Sequence, residues 1–545
     1  MSENNTNNFK VNVDGLFGRR KIFTSVADID ETNVIYEVNR ALEYHITNMA
    51  EEDYLYWYRR GVQPILNRVK EIRPEICNKI VVNNAEQVVA FKNGYFLQKP
   101  ISYVSRRADE KITEKVREYN EYIYTSGKHQ ADNAVVDWFH TVGLGALFVE
   151  PSRKKKTNKP VNVYALDPRS AFVVYSLRPG NRPVMGVNMV VDRDYIVFDV
   201  FTERFKFTLS GGYVGERVND GQHPIGFTAV KVESVEPNII GLIPIIEYTY
   251  SSNRMAAFEC AISVMDAINT VESNRVDGVE QEVQQLCVAT NCQFEEGVTA
   301  NTIREAGMIC VKSTNENRAD FKILSETLDQ AQTQVTLDDL YSQMLFKCSM
   351  PTTTSGGKST SDTGTAVYLR DGFQTADTAA RNTQDLFEES ERLFDEVFLR
   401  ILELDNGFDL QPEDFSLRME RNSASNLLVK SQSALNMKEL GLAPQIAFER
   451  SGLSADPLTD ILVSEKYIKM KWDGTDMEGN PIDRWGQPIN TENGVGQAVT
   501  PEGRPSSGNG ANEPSRPNDS SSSEPGKRLS SGTWINGYWR RDPEG

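Results

Sequence analysis

Cysteine is scarce in this sequence, with six in 545 residues. That excludes a small domain held together by disulfides. Histidine is scarcer, with four (His45, His129, His140 and His223). Cys287 and Cys292 are not followed by a second pair at zinc-finger distance, so neither a structural metal nor any other cofactor is expected. Long hydrophobic runs are missing too. The longest, Ile239–Ile246, is broken by Gly241 and Pro244, whereas a bilayer span needs about 20 apolar residues. No membrane association is expected. The Asn-rich stretch Met1–Lys10 lacks the apolar centre of a signal peptide, which argues against secretion and for reduced thiols. Positive charge is in deficit: 59 Lys and Arg stand against 77 Asp and Glu, for a net charge of −18. A protein that grips duplex DNA over a broad surface needs a basic one. This chain can touch DNA only locally, or let it pass.

Catalytic signatures are also wanting. Gly356-Gly357-Lys358-Ser359 has the end of a phosphate-binding loop, but Thr352 stands where the first glycine belongs, and no buried strand leads into it. Gly143-Leu144-Gly145 lacks the third glycine of a dinucleotide fingerprint and reads as a helix end. There is no Gly-x-Ser-x-Gly elbow and no His-Glu-x-x-His. The basic run Arg153–Lys156, with Lys159, reads as the tip of a hairpin. The chain is therefore not expected to be an enzyme.

What is present is architecture of the α+β class. Residues 1–30 read as a polar arm. Val34, Val38, Leu42 and Ile46 set a helical period between Glu31 and about Arg73. Helix then strand are expected across Lys79–Ser105, and helices over Asp109–Tyr124 and Gln130–Val142. Residues 146–250 switch to β-rich runs parted by Pro, Gly, Asn and Asp, which predicts an antiparallel meander. A helix over about Asn253–Val283 carries the stripe Phe258, Ile262, Met265, Ile268 and Val271. A small module at 284–325, with three strands around a short helix, separates it from a second helix over about Glu326–Cys348. The segment Pro351–Gly364 holds eight Ser or Thr among 14 residues and no large hydrophobe, and reads as a solvated loop. A long helix follows over about Thr365–Leu404. Its apolar side includes Phe387, Phe394, Val397 and Ile401. Its acidic residues, among them Glu388, Glu391 and Asp395, read as solvated. Phe415–Met419 reads as a strand, and Ser425–Leu440, Pro444–Ser451 and Leu458–Lys471 as helices. Gly, Pro, Ser and Asn supply about half of residues 473–545, the composition of a disordered tail. Within it, Trp534, Tyr538, Trp539, Arg540 and Arg541 cluster as a candidate docking motif.

This order resembles the portal (head-to-tail connector) proteins of tailed double-stranded DNA bacteriophages, especially those of Gram-positive hosts. The resemblance is carried by Asn78–Val81 with Lys92–Ile101, by Trp138–Glu150 followed by Tyr164–Pro168, and by Ser425–Glu465 with Leu440-Gly441-Leu442 and Asp456-Pro457. Gln98-Lys99 stand where the family usually has glycine before the proline. The resemblance implies a homo-oligomeric ring, usually of twelve subunits, at one vertex of the capsid, assembled in the host cytoplasm. It implies an α/β wing at 31–250 with 405–421, stem helices at 251–283 and 326–349, and a clip at 284–325. A tunnel loop at 350–364, a long kinked helix at 365–404, a helical crown at 422–471 and a tail at 472–545 complete the implied order.

Double-stranded DNA would pass through the channel during packaging and ejection. The implied DNA-facing residues are Thr352, Thr353, Thr354, Ser355, Gly356, Gly357, Lys358, Ser359, Thr360 and Ser361. Glu326, Asp329, Asp338 and Asp339 are the candidates to line the stem. Glu295, Glu296, Arg304 and Glu305 are the clip candidates for docking the terminase large subunit and then the head–tail adaptor protein. Major capsid and scaffolding proteins are the remaining implied partners. The rival readings are another capsid adaptor or scaffold without a channel, and a nucleotide hydrolase using Lys358.

Overall fold

The computed structural model describes residues 18–283, 286–290, 320–324, 330–351, 373–419, 427–453, 460, 464, 532–535 and 538–541, less 72, 98, 107–108, 153–158, 193–194, 215–225 and 443. It divides into two units, residues 1–458 and 459–545. In the second unit, β14 (Gly532–Ile535) and β15 (Tyr538–Arg541) form an antiparallel hairpin with Trp534 opposite Trp539.

In the first unit, a six-stranded sheet has the order β1-β5-β6-β7-β8-β9. Strands β5 (Ala171–Ser176), β6 (Pro183–Asp192), β7 (Tyr195–Phe201), β8 (Phe205–Val214) and β9 (Gly226–Pro237) form the expected meander only in part, because the runs at 146–150 and 161–166, expected in the same meander, belong to a second sheet. β1 (Ile22–Thr24) adds to its edge in parallel. Helix α1 (Val34–Arg59) lays Val34, Val38, Ala41 and Leu42 on this sheet, against Phe172, Val187, Phe198 and Leu209. Asn39 ties α1 to β9, accepting from Ala229 N at 2.7 Å and donating to Ala229 O at 3.0 Å.

A second sheet, β10-β3-β4, joins β3 (Leu144–Pro151), β4 (Val161–Leu166) and β10 (Ile245–Thr249). Helix α4 (Lys128–Val142) packs on it and ends at Gly143. Gly143 has φ +93°, and a Cβ there would sit 2.3 Å from the Arg254 carbonyl oxygen, so only glycine fits. The basic run 153–156, expected at a hairpin tip, lies outside the described residues; the flanking β3 and β4 pair antiparallel. Helices α2 (Asn84–Phe96) and α3 (Glu110–Ser126) flank β2 (Ser102–Ser105), which pairs with β13 (Phe415–Arg418). After β10 come α5 (Ile262–Val283), the antiparallel pair β11 (Leu286–Thr290) and β12 (Asp320–Leu324), and α6 (Gln330–Lys347). Helix α7 (Phe373–Asn406) is 34 residues long, about 51 Å. Helices α8 (Leu427–Glu439) and α9 (Pro444–Ser451) pack on each other.

Three further expectations need correction. Residues 18–30 do not belong to a free arm. β1 sits in the sheet, and Arg19, 2% exposed, donates to the Val142 carbonyl at 2.9 Å and to Glu259 Oε1 at 2.5 Å. The helix expected from about Asn253 does not begin there. Arg254 has φ +58°, and helix starts only with the 3₁₀ turn Glu259–Ala261. Nor is the acidic surface of α7 all solvated, because Glu391 and Asp395 are buried. Their surroundings account for that. α7 drives Phe387, Phe394 and Phe398 into the core beside β10 and α3, and the two acids share that face.

The buried acids need compensation. Lys128 Nζ lies between Asp132 and Glu391, 2.7 Å from Glu391 Oε1. Tyr248 and Tyr103 donate to Glu391 at 2.9 and 3.2 Å, and Tyr119 donates to Asp395 at 2.7 Å. Two carboxyls thus share one ammonium, and Asp395 lies in the same cluster on a tyrosine hydroxyl. Burial pushes Asp132 up to about 7 against the pull of Lys128, and pushes Asp395 well above the ordinary range.

Glu52 is the other strained acid. It is fully buried, neither oxygen has a hydrogen-bond partner among the described residues, and burial lifts it to about 8. A carboxyl whose folded pKa is raised stabilises most below its unfolded pKa and loses that contribution as pH rises through the folded one. His45, stacked on Phe172 and pushed by burial down to about 4, acts oppositely, but only below its unfolded pKa of about 6.5. Above that, the carboxyls dominate. Unfolding free energy is expected to fall by about 2 kcal/mol between about pH 6.5 and 8, at about 1.4 kcal/mol per unit for Glu52. Urea titrations across this range check it. Glu52→Gln should remove about 1.4 kcal/mol per unit from the slope and leave the share of Asp132 and Asp395, and equal slopes in both proteins would refute the assignment.

Candidate channel wall

Helices α5 and α6 form a pair. Ile262, Met265 and Ile268 of α5 meet Leu337, Met344 and Leu345 of α6 in one buried cluster, together with Phe258, Tyr58 and Val89. Both stripes follow the 3–4 spacing of the sequence, which closes the seam by burial of apolar surface.

A separate polar stripe on α5 ties that helix to residues 58–82. Asp266 accepts from Tyr58 OH at 2.8 Å. Asn269 accepts from Val82 N at 2.9 Å and donates to Gln63 at 2.5 Å. Ser273 accepts from Ile80 N at 3.0 Å. Asp277 accepts from Asn78 N and Lys70 Nζ, both at 2.7 Å, and pairs with Arg68 at 3.2 Å. Positions 266, 269, 273 and 277 repeat at 3–4 residues, so one helical face supplies acceptors to the extended segment 78–82. That segment makes no sheet, and its backbone donors would otherwise go unmet. Burial alone would raise Asp277, but the Lys70 and Asn78 donors outweigh it and hold the carboxyl below its ordinary value.

On α6 the acids behave differently. Asp338 and Asp339 are exposed. Among the described residues, the Asp338 carboxylate accepts from Gln334 Nε2 at 2.7 Å, and that of Asp339 from Gln343 Nε2 at 2.9 Å. Neither forms an ion pair with a described residue. Gln334 also accepts from Arg275 of α5 at 3.0 Å, bracing the two helices beside the acids. Two carboxylates with amide partners and no cation among the described residues present negative charge to whatever faces this helix.

Of the residues expected to carry function, then, Asp338 and Asp339 lie side by side on an exposed stretch of α6. Glu326, Asp329, Glu295, Glu296, Arg304, Glu305 and the whole series 352–361 lie outside the described residues. The polar stripe of α5 and the Lys128 cluster escaped the reading of the sequence. The only signal was a pair of i, i+4 spacings, Lys128 with Asp132 and Glu391 with Asp395, which also occurs on ordinary solvated helices.

A family model described as "Phage portal protein, SPP1 Gp6-like" matches residues 36–447, about three quarters of the chain. The chain belongs to this family. A portal protein is a structural component of the phage head, an oligomeric ring in the capsid through which DNA is packaged, and it is not an enzyme. The expected resemblance is therefore correct at the level of family. No curated protein matches the sequence. Among the described residues, no helix is long and apolar enough to cross a membrane.

Proposed function

We propose that this portal subunit assembles into a twelve-membered ring at a single capsid vertex and acts as a passive conduit for double-stranded DNA during packaging and ejection. The observation that carries the reading is the exposure of Asp338 and Asp339, without an ion pair to any described residue, on the second of two packed helices, in a chain whose net charge is −18. A wall of carboxylates repels phosphate, so DNA slides rather than sticks.

In this reading α5 and α6 are the stem, and 284–325 is the clip that docks the terminase large subunit and later the head–tail adaptor. Residues 350–364 are the tunnel loop. The hydroxyls of Thr352, Thr353, Thr354, Ser355, Ser359, Thr360 and Ser361 make transient bonds to backbone phosphates, and Lys358 contributes one cationic contact per subunit. α7 returns the chain to the wing, and 422–471 forms the crown. The terminase motor supplies the force.

Negative-stain imaging of the purified protein tests this. The expected particle is a ring with a central pore wide enough for duplex DNA. Compact monomers or dimers at every concentration, or a solid particle, would overturn the conduit.

A further inference from the structure

Cys260 and Cys348 meet where the two stem helices start and finish. Cys260 is exposed in the 3₁₀ turn leading into α5, and Cys348 is buried directly after α6. Cys260 Sγ lies 3.4 Å from the Lys347 carbonyl oxygen, which sets it beside the residue preceding Cys348. We propose that this pair is a thiol–disulfide exchange site, in which a small external disulfide reacts at Cys260 and Cys348 resolves the adduct into a disulfide between the two helices.

The roles follow from the environments. The Cys348 thiol donates toward Cys260 Sγ, and Lys347 and Lys92 add positive potential. Against the opposing effect of burial, these bring the Cys260 thiol down to about 7. The same hydrogen bond and burial push Cys348 up. Cys260 is therefore the thiolate near neutrality and the one open to solvent, which makes it the attacking sulfur. Cys348 keeps its proton while Cys260 is charged. It is released from that constraint once the Cys260 charge is consumed.

The exchange balances. Cys260 thiolate attacks R–S–S–R, forming Cys260–S–S–R and expelling RS⁻. Cys348 loses its proton to solvent or to RS⁻, attacks the Cys260 sulfur and expels the second RS⁻. Two protein thiols are oxidised, and one external disulfide is reduced to two thiols. A capsid component is made under reducing conditions and later leaves the cell, so the bond would close after assembly. It would enclose residues 261–347, both stem helices included, in one covalent loop.

The full-length reduced protein is incubated with oxidised glutathione at about pH 8, quenched with acid, digested without reductant and examined by mass spectrometry. A peptide pair joined through Cys260 and Cys348 is expected in the wild type. Cys348→Ser should accumulate the glutathione adduct on Cys260 instead. Below about pH 7 the wild-type rate should fall about tenfold per unit, following the thiolate fraction. A native wild-type protein that stops at the Cys260 adduct, or in which Cys260 reacts no faster than the half-buried Cys77, would overturn the proposal. Neither result depends on ring formation or on DNA.

Discussion

Lys128→Ala is expected to cost about 3–5 kcal/mol of folding free energy, the range for removing one partner from a buried ion pair. Against a total of about 5–15 kcal/mol for a folded protein, that leaves little soluble product at 37 °C. Both sides of the pair are about 1% exposed, so no water compensates the loss. The ammonium is the sole cation placed among Asp132, Glu391 and Asp395 by the described residues, and its removal leaves acids facing one another. Tyr103, Tyr119 and Tyr248 cannot replace it, because each hydroxyl already donates to one of those acids. The deficit should shrink at about pH 5, where carboxyl protonation removes the need for a cation. Lys128→Met with Asp132→Leu should recover part of the loss, since it removes one of the two buried carboxyls that lose their cation, while Glu391 keeps only its tyrosine donors. Chemical denaturation of the single and double variants measures this. A single variant within about 1 kcal/mol of wild type would mean that the cluster is already neutralised by protons.

That cluster shows where reading the sequence stopped. The meander, α4 with its glycine terminus and the apolar seam of α5 and α6 were legible, because each depends on local period and on residues a few positions apart. The Lys128–Glu391 contact joins positions 263 residues apart; Glu391 does fall at the 3–4 spacing of Phe387, Phe394 and Phe398, unlike the exposed Glu389, but no local pattern names its distant cation. Only the packing of Phe387 and Phe394 against β10 turns one acid inward. β1 was missed for a related reason. Ile22–Thr24 is three residues long, too short for alternation to register, and its place depends on Arg19 reaching Glu259 and on β5 offering an edge. The start of α5 was set by the left-handed backbone at Arg254, where the side chain pairs with Glu247 and donates to the Arg20 carbonyl at 3.0 Å. Asp338 and Asp339 were reachable because exposure on a short amphipathic helix follows from the positions of Leu337 and Met344.

Converting Asp338 and Asp339 together to lysine is expected to leave ring assembly intact and to lower DNA packaging by tenfold or more. Assembly should survive because both side chains are exposed and their partners, Gln334 and Gln343, belong to the same helix. Surface substitutions of this kind usually shift stability by no more than about 0.5 kcal/mol. Packaging should suffer because each subunit changes by four charges at the proposed wall. Two unit charges about 10 Å apart in water interact by about 0.4 kcal/mol, so four altered charges change the energy of one nearby phosphate by about 1.7 kcal/mol per subunit. Neighbouring subunits of the ring add to that, and a surface that sheds DNA becomes one that holds it. The block should ease as salt rises, because exposed charges are screened within about 8–10 Å at physiological ionic strength. Packaging assays on heads built with the variant, run at several salt concentrations beside imaging of the rings, separate the outcomes. Normal packaging by intact variant rings would remove electrostatic repulsion from the mechanism. Loss of the rings themselves would place Asp338 and Asp339 in a subunit contact and not on the channel.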